Sequence, residues 1–519
     1  MYILFPGRHH VLTRFQQSYL EKARLGESAG EGIEAIIFAV TSANHSGTRR
    51  NPVPAYLRAA EIELFSDRFR TRSFTYLVDD IGASERFADY LVKSVEVQSD
   101  GKFSLSPENT LVACSTPEVI KQFEGLGYKI LPVELDRKTG KFTATRPWDL
   151  VNLIAEKGGN WKEDPQIRGN LSDASLFILD KYGIDKKIQE LHRDPILGEN
   201  GDLTETRDYN TYVRAFDEGA ERKAGLVRSS VLPGRIVDIG CCTGSLLREL
   251  ALEDRLRESD FYGVEIAREL VDICQHRKQH GHFANDNVFF YQRNATTGKI
   301  FADNSVNTFI TTSLTHEIES YQGRDSLENF FGLVYQQLSP GGRWINFDVV
   351  GPEDKERKVY MKLNEDDGTS DWFGKFTGDA RKDLKLALDN LSTYGRFFLF
   401  ADEFRKDTGD QIQFEIVHAN GSPLVRLRLE DAAEFLSKKD YTDNWQSEMH
   451  ERFCFWDFDE WKDAAEKAGF VTRPESHAFR NEWIVENRYK GKAELFDENM
   501  NPIEYPVTNM LLAAEKPRS

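Results

Sequence analysis

The chain contains little cysteine, and the cysteines that it has do not form a recognisable framework. The 519 residues include five, at positions 114, 241, 242, 274 and 454, without the paired spacing of zinc ligands. Cys241 and Cys242 are adjacent, which suits neither a zinc knuckle nor an ordinary disulfide. We therefore predict no resident metal ligands, and a reducing cytoplasm as the location of the protein.

Long apolar runs and an excess of positive charge are also missing. No stretch approaches the roughly 18 to 20 apolar residues that cross a membrane, and MYILFPGRHH lacks the basic and apolar regions of a secretory signal. The formal net charge of −18 repels a phosphate backbone, which disfavours nucleic acid as the main partner. We expect small-molecule partners and no membrane, and the sequence does not indicate an oligomeric state.

Two regions alternate short β-rich runs with helical patterns, which predicts parallel sheets covered on both faces. We place an N-terminal domain at 1–195, a turn-rich linker at 196–211 and a second domain at 212–519. An irregular, charged and aromatic stretch at 351–455 is interpreted as an insertion. The predicted fold class is α/β with two Rossmann-like parallel-sheet domains, the second carrying an inserted lid region.

The stretch GRIVDIGCCTGSLLREL is the most informative part of the second domain. A buried strand runs into Gly240 and Gly244, and a helix starts at once. Glycines at such a turn let the backbone approach a ligand. Glu265 ends the next strand, FYGVEI, where an acid can accept both hydroxyls of a ribose. These residues alone leave open a generic glycine turn or a dinucleotide site.

Several further features accompany this loop. It reads D-x-G-x-x-x-G without the G-x-G-x-x-G of dinucleotide sites, and RNATT, TTSLTHEI and LSPGGRW mark the later strands. Together they resemble class I S-adenosylmethionine-dependent methyltransferases over about 212–350 and 456–519. The resemblance implies that S-adenosylmethionine is the cofactor. The implied cofactor-binding residues are Asp238, Gly240, Cys242 and Gly244 in the loop, Glu265 at the ribose, Asn294 and Ala295 at the adenine, and Ser313 after the fourth strand.

The methyl acceptor needs a nucleophile aligned with the sulfonium methyl, and often a base. SLTHEIESY supplies His316 as the predicted catalytic base, with Glu317 or Tyr321 orienting it or binding substrate. Asp348, at the end of the fifth strand, is a second candidate. The alternative is that His316 caps or packs a helix and that Asp348 only ends a strand. EMHERFCFWDFDEW, with His450, is interpreted as part of the lid, with plain packing as the alternative.

The N-terminal domain carries three loops in a characteristic order. FPGRHHVLTRFQ follows the first strand, SANHSGTRRNPVPAYLRAAEI follows the second, and KFTATRPWDL opens a later helix. Their order and spacing resemble the nicotinamide-mononucleotide adenylyltransferase branch of the nucleotidylyltransferases, over roughly residues 1–192. The resemblance implies in-line transfer of a nucleotidyl group to a phosphate- or phosphonate-bearing substrate, with Mg²⁺ and ATP or CTP. Such chemistry depends on positioning and on cations that meet the developing charge.

Matching by position assigns roles to individual residues and exposes two departures. Thr13 and Gln16 fall on the two catalytic histidines, and Phe15 replaces the glycine between them. Gln16 can donate a hydrogen bond but is always neutral. His9 and His10 either supply the lost positive charge or are surface residues. The implied nucleotide- and substrate-binding residues are Gly7, Arg8, His10, Asn51, Arg58, Thr145 and Arg146, with Asn44 and His45 in the same turn as Asn51.

The predicted function is therefore that of a bifunctional transferase. The C-terminal domain would methylate a small molecule, and the N-terminal domain would transfer a nucleotidyl group. The alternative is a methyltransferase whose N-terminal domain is a degenerate nucleotide-binding or regulatory module. A non-catalytic interaction protein is disfavoured, because packing alone requires neither the intact glycine loop nor Glu265.

Overall fold

The computed structural model describes residues 1–24, 32–69, 71–82, 84–194, 198–199, 201, 209–370, 380–419 and 421–518. The chain divides into two compact units, Met1–Gly201 and Asp202–Ser519. Much of the predicted linker, at 196–197, 200 and 202–208, lies outside the described residues, as do 371–379 and 420 of the predicted insertion. Among the helices that are described, none has the length and apolar character to cross a membrane.

The N-terminal unit is built on one parallel sheet of five strands. The strands are β1 (Tyr2–Gly7), β2 (Ala35–Val40), β3 (Arg72–Leu77), β4 (Thr110–Ala113) and β5 (Lys129–Leu131), and β6 (Leu135–Asp136) and β7 (Lys141–Phe142) form a separate hairpin. The sheet order is β3-β2-β1-β4-β5. Strand β2, AIIFAV, lies between β3 and β1 and is buried at every position, because both faces of the sheet are covered.

Eight helices of this unit surround the sheet and complete its core. They are α1 (Arg14–Arg24), α2 (Ala55–Ser66), α3 (Phe87–Gln98), α4 (Pro117–Gly125), α5 (Pro147–Lys157), α6 (Pro165–Asn170), α7 (Asp173–Tyr182) and α8 (Ile184–Arg193). Proline stands at the start of α4, α5 and α6, where its missing N–H costs no hydrogen bond. Alternate residues of β2 belong to different clusters, Ile36 and Phe38 to one and Ile37 to the other, as the two-residue period of a strand requires.

Among the residues that the structure describes, the C-terminal unit contains eleven further α-helices, one π-helical turn and thirteen further strands, which form two sheets. In chain order they are α9 (Tyr209–Val227), β8 (Arg235–Ile239), α10 (Ser245–Leu250), β9 (Asp260–Glu265), α11 (Arg268–Gln279), β10 (Val288–Gln292), β11 (Val306–Thr312), α12 (Thr315–Gln322), α13 (Arg324–Gln337), β12 (Leu338–Val349), β13 (Lys358–Leu363), α14 (Ala380–Asn390), α15 (Thr393–Glu403), β14 (Glu415–Ala419), β15 (Ser422–Arg428), α16 (Leu429–Lys438), α17 (Trp445–His450), α18 (Phe458–Lys467), β16 (Val471–Thr472), β17 (His477–Phe479), α19 (Glu482–Ile484), the π-helical turn Val485–Tyr489, β18 (Ala493–Phe496), β19 (Pro502–Ile503) and β20 (Asn509–Glu515).

The larger sheet of this unit is parallel from β10 to β12 and antiparallel beyond. Its order is β10-β9-β8-β11-β12-β20-β16, and β17 pairs with another part of β20. The chain runs outward in one direction from β8 to β10 and then returns to place β11 on the other side of β8. Ligands of open α/β sheets bind at such a reversal, beyond the carboxyl ends of the strands. The predicted parallel α/β organisation is thus confirmed, and the carboxyl ends of β8 and β11 define where to look.

The smaller sheet is antiparallel and is assembled from two separate stretches of the chain. Its order is β14-β15-β13-β18-β19. Residues such as Phe397, Phe435 and Trp445 give it a core of its own. Strands β18 and β19 come from 493–503, beyond the predicted insertion at 351–455, and β18 pairs directly with β13. We call this smaller sheet the added sheet. Its strands lie both before and after α18, β16 and β17 in the sequence.

Candidate functional site

The glycine loop after β8 has a backbone that side chains would obstruct. Gly240 and Gly244 both have φ of +72°, a region that favours glycine. A Cβ on Gly240 would lie 3.1 Å from the Leu314 side chain, and one on Gly244 would lie 3.1 Å from the ring of Phe290. Cys242, between them, also has a positive φ, of +50°. The loop is therefore held in a tight, left-handed path at the edge of the crevice.

Glu265 ties the end of β9 to this loop. Its Oε2 accepts a hydrogen bond from the Cys242 N–H at 2.9 Å, and its Oε1 accepts from the N–H groups of Ile266 and Ala267 at 2.8 and 3.0 Å. Burial raises the pKa of Glu265, and the three backbone donors act against that rise. The carboxylate is thus fixed where the ends of β8 and β9 meet.

Asp238, which is buried, and Lys223, which is half-buried, interact electrostatically. Asp238 lies on β8, and its Oδ1 has no hydrogen-bond partner in the part of the chain that the structure describes. Burial raises the pKa of Asp238 to about 8, against the effect of Lys223. Burial lowers the pKa of Lys223 to about 8, against the charges of Asp238 and Asp348. The sequence analysis missed Lys223, because a lysine on an amphipathic helix has the pattern of a surface residue.

A second acid on α9 fastens that helix to the glycine loop. Asp217 accepts hydrogen bonds from the hydroxyls of Thr243 and Ser245, and its Oδ2 lies 2.5 Å from Arg277 Nη2. Burial would raise the pKa of Asp217, but the bonds from Arg277 and the two hydroxyls lower it to about 2. Helices α9 and α11 are therefore linked through the loop by a charged network.

The remaining predicted cofactor residues lie on the same edge of the sheet. Asn294 and Ala295 follow β10, and the Asn294 Oδ1 accepts hydrogen bonds from the N–H and hydroxyl of Thr296 at 3.0 and 2.7 Å. Ser313 follows β11 with φ of +55°, and its N–H donates to the carbonyl of Phe347 at 2.8 Å. Of the eight predicted cofactor residues, Asp238 lies in β8. The other seven lie at the carboxyl ends of β8, β9, β10 and β11 or within a few residues of them.

His316, at the start of α12, lies between two carboxylates. Its Nδ1 is 2.6 Å from Oδ1 of Asp348, and its Nε2 is 3.4 Å from Oε2 of Glu451. Burial would lower the pKa of His316, but Asp348 and Glu451 raise it well above its usual range. The ring of Phe453 packs edge-on at 4.9 Å. Both ring nitrogens of His316 thus face a carboxylate oxygen, Nδ1 that of Asp348 and Nε2 that of Glu451.

Asp348 is the residue that orients this ring. It is fully buried, and it accepts hydrogen bonds from the Thr315 N–H and hydroxyl, the His316 N–H and the Val349 N–H. Burial would raise the pKa of Asp348, but His316 lowers it. The sequence analysis expected Glu317 or Tyr321 to orient His316. The Nδ1 atom of His316 is bonded to Asp348.

Glu317 and Tyr321 lie on the other side of the ring. The Tyr321 hydroxyl donates to Oε1 of Glu451 at 3.2 Å. Glu317 is close enough to raise the pKa of Glu265, which places its charge on the cofactor side of α12. Carboxylate oxygens of Glu317 and Glu451 and a ring nitrogen of His316 all lie within 4.8 Å of one another.

Glu451 is a site residue that sequence reasoning missed. It stands within EMHERFCFW, which was noted for His450 and its aromatic residues; the His450 ring packs on Tyr321 at 4.8 Å. The segment is fixed from both sides: Lys438 donates to the Glu451 carbonyl, and the Arg452 N–H donates to the Ser320 hydroxyl at 2.8 Å. No local pattern marks this glutamate, because its role depends on the packing of the added sheet.

In the N-terminal unit, the two predicted catalytic positions cap a helix. The Gln16 N–H donates to Oγ1 of Thr13, and the Thr13 N–H donates to Oε1 of Gln16, both at 3.1 Å. This reciprocal pair is a capping box at the start of α1. The Gln16 amide also donates to Glu134 at 2.8 Å. Thr13 and Gln16 are both buried, so their polar atoms serve the fold. Phe15 beside them packs against Tyr19, with ring centroids 6.1 Å apart.

The alternative that His9 and His10 are surface residues is wrong, because both are buried. Burial lowers the pKa of His9 to about 4 and that of His10 well below its usual range, which opposes a positive charge on either ring. The His9 Nε2 donates to the Phe5 carbonyl at 3.1 Å, and its ring lies 2.9 Å from where a Gly7 Cβ would be. The histidine thus fills the space that this glycine leaves.

Arg58, predicted to meet the substrate, instead holds backbone carbonyls together. It is fully buried, and it donates to the carbonyls of Arg8, Thr41 and Ser42 at 3.0, 2.8 and 2.9 Å. Burial and the charge of Arg8 lower the pKa of Arg58 to about 10. Its guanidinium joins the loops after β1 and β2.

The other predicted phosphate-binding residues are placed in two groups. The Asn51 N–H donates to Thr48 Oγ1 at 3.0 Å, close to where His10 donates to the Arg50 carbonyl at 3.1 Å. Thr145 and Arg146 precede α5, where the partly exposed Arg146 lies 2.6 Å from Asp149. The His10 ring lies 6.1 Å from that of Trp148 on α5, so the two groups face the same part of the unit.

Comparison with known proteins bears on the C-terminal unit. Residues 233–381 match the profile of a family described as a methyltransferase domain, and no curated protein matches the chain. A solved S-adenosylmethionine-dependent methyltransferase from Mesorhizobium loti is 12% identical, with 58% of this chain and all of that one covered, at a TM-score of 0.31. The YcgJ protein of Bacillus subtilis is also 12% identical, over 57% and 99%, at 0.30. The family match and the sheet order support a class I methyltransferase fold. The two TM-scores are too low to add to that support.

Proposed function

We propose that the C-terminal unit is an S-adenosylmethionine-dependent methyltransferase that acts on a small molecule. The observation that carries the proposal is the fixed Glu265 carboxylate beside the left-handed glycine loop. Among the described residues, the Oδ1 of buried Asp238 has no hydrogen-bond partner, which fits a polar ligand at this place. When bound, S-adenosylmethionine supplies a methyl group on a positively charged sulfur.

The residues divide the crevice into a cofactor part and an acceptor part. The backbone at Gly240 and Gly244 would hold the amino-acid portion, Glu265 the ribose hydroxyls, and Asn294 with Ala295 the adenine. The acceptor part is lined by His316 and Glu451. The imidazole held by Asp348 and the carboxylate of Glu451 beside it are both polar groups, which suits a polar acceptor better than an apolar one.

Calorimetric titration with S-adenosylmethionine tests this assignment directly. Glu265→Ala removes the proposed ribose contacts and should weaken binding at least tenfold, since a hydrogen bond to a charged group contributes about 1.5–3 kcal/mol. Glu269→Ala, at an exposed position on the first turn of α11, is the matched control and should bind as the unaltered chain does. Equal affinity in the two variants would show that the site is misplaced, and no binding by the unaltered chain would overturn the proposal.

For the N-terminal unit, we infer a module that does not transfer nucleotidyl groups. The residues at the catalytic positions, Thr13 and Gln16, are bonded to each other and to Glu134. The neighbouring histidines are neutral, and Arg58 is committed to carbonyls. These groups do not fit a site that must meet the charge of Mg²⁺-bound ATP or CTP in transfer, so the bifunctional assignment is not retained.

Pyrophosphate release separates the two accounts of this unit. The full chain is incubated with Mg²⁺, each nucleoside triphosphate, and candidate phosphate or phosphonate acceptors. We expect no pyrophosphate above the level of a chain-free control. Release that depends on an acceptor would restore the bifunctional assignment.

A further inference from the structure

We propose that His316, Glu317 and Glu451 bind a divalent metal ion beside the cofactor crevice, with Asp348 as the residue that orients the histidine. The sequence analysis predicted no resident metal ligand, because its spacing rules look for ligands close together in sequence. Here the third ligand, Glu451, comes from the segment after α17, far along the chain from α12. The metal site itself does not depend on the proposed methyl transfer.

The separations of the donor atoms match those of metal ligands. Oxygen and nitrogen ligands lie about 2.0–2.2 Å from zinc-like ions, so two ligands of one tetrahedral ion are about 3.4 Å apart. His316 Nε2 and Glu451 Oε2 are 3.4 Å apart. A direct bond between an imidazolium and a carboxylate is usually shorter, about 2.7–2.9 Å. The gap between these two buried side chains is therefore wide for a hydrogen bond and suitable for a shared cation.

The third donor lies within reach of the same point. The carboxylate of Glu317 is within 4.8 Å of the ligand atoms of His316 and Glu451. Glu317 is only partly buried, so its side chain can shift by the ~1–2 Å that coordination distances of this kind require. One nitrogen and two carboxylates leave open positions for water or a ligand, as catalytic metal sites do.

The other ring nitrogen of His316, Nδ1, has the hydrogen bond that usually supports metal binding through Nε2. Metal-bound histidines usually donate their second ring N–H to a carboxylate, which fixes the ring and the tautomer. His316 Nδ1 lies 2.6 Å from Asp348, and Asp348 is held by the N–H groups of Thr315, His316 and Val349. This bond directs the Nε2 atom toward Glu451 and Glu317. The bond to Asp348 thus leaves Nε2 as the ring nitrogen that faces the carboxylate of Glu451.

The donor set indicates both the metal and the class of acceptor. Imidazole suits Zn²⁺ and carboxylates suit Mn²⁺, so a mixed set favours one of these ions over Ca²⁺. A metal at this point would hold an oxygen of the acceptor and lower the pKa of its hydroxyl. Resting on the proposed function, we infer that the acceptor is a small molecule that carries a hydroxyl group. Glu317 faces Glu265 closely enough to affect it, which places that oxygen on the cofactor side.

Metal titration of the full chain tests the site. After treatment with a chelator and removal of it, the protein is titrated with Mn²⁺ alone, followed by electron paramagnetic resonance, and with Zn²⁺ alone by calorimetry. We expect one site per chain, weakened at least tenfold by Glu317→Gln and by Glu451→Gln. Asp348→Asn should weaken it about 10–100-fold, as loss of such a supporting carboxylate does. Glu319→Gln, on the same helix and paired with Arg324, is the matched control and should bind normally.

The outcomes separate this proposal from the methyltransferase assignment. Absence of a site, or one that all four variants leave unchanged, overturns the metal proposal; the exposed His276 and His280 could bind Zn²⁺ in that insensitive way. Circular dichroism checks folding, and if Glu451→Gln does not fold, the partly exposed Glu317→Gln decides alone. Titration of the same samples with S-adenosylmethionine in the absence of metal reports on the cofactor site. Failure there, with metal binding intact, would instead overturn the proposed function.

Discussion

The two units carry comparable loops that have been put to different use. In each, a glycine stands at the end of the first strand: Gly7 is the last residue of β1, and Gly240 directly follows β8. A side chain lies close to where a Cβ would be in both loops, His9 at 2.9 Å from that of Gly7 and Leu314 at 3.1 Å from that of Gly240. The difference lies in the residues at the predicted functional positions: Thr13 and Gln16 are bonded to each other, whereas the Asp238 Oδ1 has no partner among the described residues. The bonds that polar atoms already make therefore distinguish the two loops better than their sequences do.

Replacement of Arg58 should give the largest effect on this comparison. Arg58→Ala removes the hydrogen bonds to the carbonyls of Arg8, Thr41 and Ser42, which should reduce the free energy of unfolding of the N-terminal unit by about 3–5 kcal/mol, since each bond from a charged donor contributes about 1.5–3 kcal/mol. Arg146→Ala, at the other arginine predicted to bind phosphate, breaks a partly exposed ion pair and should cost less than about 1 kcal/mol. Hydrogen exchange of the β2 amides measures both. Equal small losses would mean that Arg58 serves a ligand and that the loops are alike after all.

The pH dependence of stability should run in opposite directions in the two units. Burial raises the pKa of Glu61, which faces the Leu12 N–H and Ser175, from 4.5 to about 8. Its stabilising contribution is complete below pH 4.5 and is lost as the pH rises toward 8, because the folded unit must bury a charge. Asp217 has its pKa lowered from 3.8 to about 2, so its contribution is present above pH 4 and is lost as the pH falls toward 2.

Two isosteric variants separate these effects. Glu61→Gln should remove the loss of N-terminal stability between pH 5 and 8, an effect of about 3–4 kcal/mol at ~1.4 kcal/mol per pKa unit. Asp217→Asn should flatten the acid limb of the C-terminal unit only. Hydrogen exchange of β2 and β8 amides at several pH values follows each unit. A Glu61→Gln chain that still lost N-terminal stability across this range would contradict the assignment.

The capping box provides the smallest effect and the sharpest test of function. Thr13→Ala removes the cap of α1 and should cost about 1 kcal/mol, measured by urea unfolding. Gln16→His restores the residue that the resembling family has at that position. It should break the bond to Glu134 without producing any pyrophosphate, because Arg58 and the neutral histidines are unchanged. Pyrophosphate release by this variant would show that the N-terminal site was one substitution from activity.

Features formed by residues close together in the sequence could be predicted. Features that depend on contacts between distant parts of the chain could not. The glycine loop and Glu265 follow from a strand, a turn and a second strand whose carboxyl ends must meet. Glu451 and Lys223 could not be predicted, since their positions depend on how a second sheet and a preceding helix pack. The assignment of nucleotidyl transfer to the N-terminal unit stays a prediction, and it is unsupported for another reason. T-R-F-Q at 13–16 has the sequence of a capping box. That role could have been predicted from the sequence, but the residues were interpreted only by their match to the catalytic positions of the resembling family.

The added sheet illustrates the same division. A change from regular alternation to charged, aromatic sequence indicated an insertion, but β18 joins β13 from residues 493–496. Sequence pattern gives no partner for a short strand, because pairing of distant strands is decided by packing in the folded unit. Helix α16 directly follows β15 of this sheet, and its Lys438 donates a hydrogen bond to the Glu451 carbonyl. The acceptor part of the site is therefore less predictable than the cofactor part.

Hydrogen exchange with and without ligands tests the central contrast most directly. The full chain is compared alone, with S-adenosylmethionine, and with Mg²⁺-ATP. We predict that S-adenosylmethionine slows exchange at 240–246 and at Ile266 and Ala267, and that Mg²⁺-ATP leaves 7–16 unchanged because His9 and the capping box already occupy that loop. Protection of 7–16 by Mg²⁺-ATP, or none at 240–246 by S-adenosylmethionine, would contradict the account.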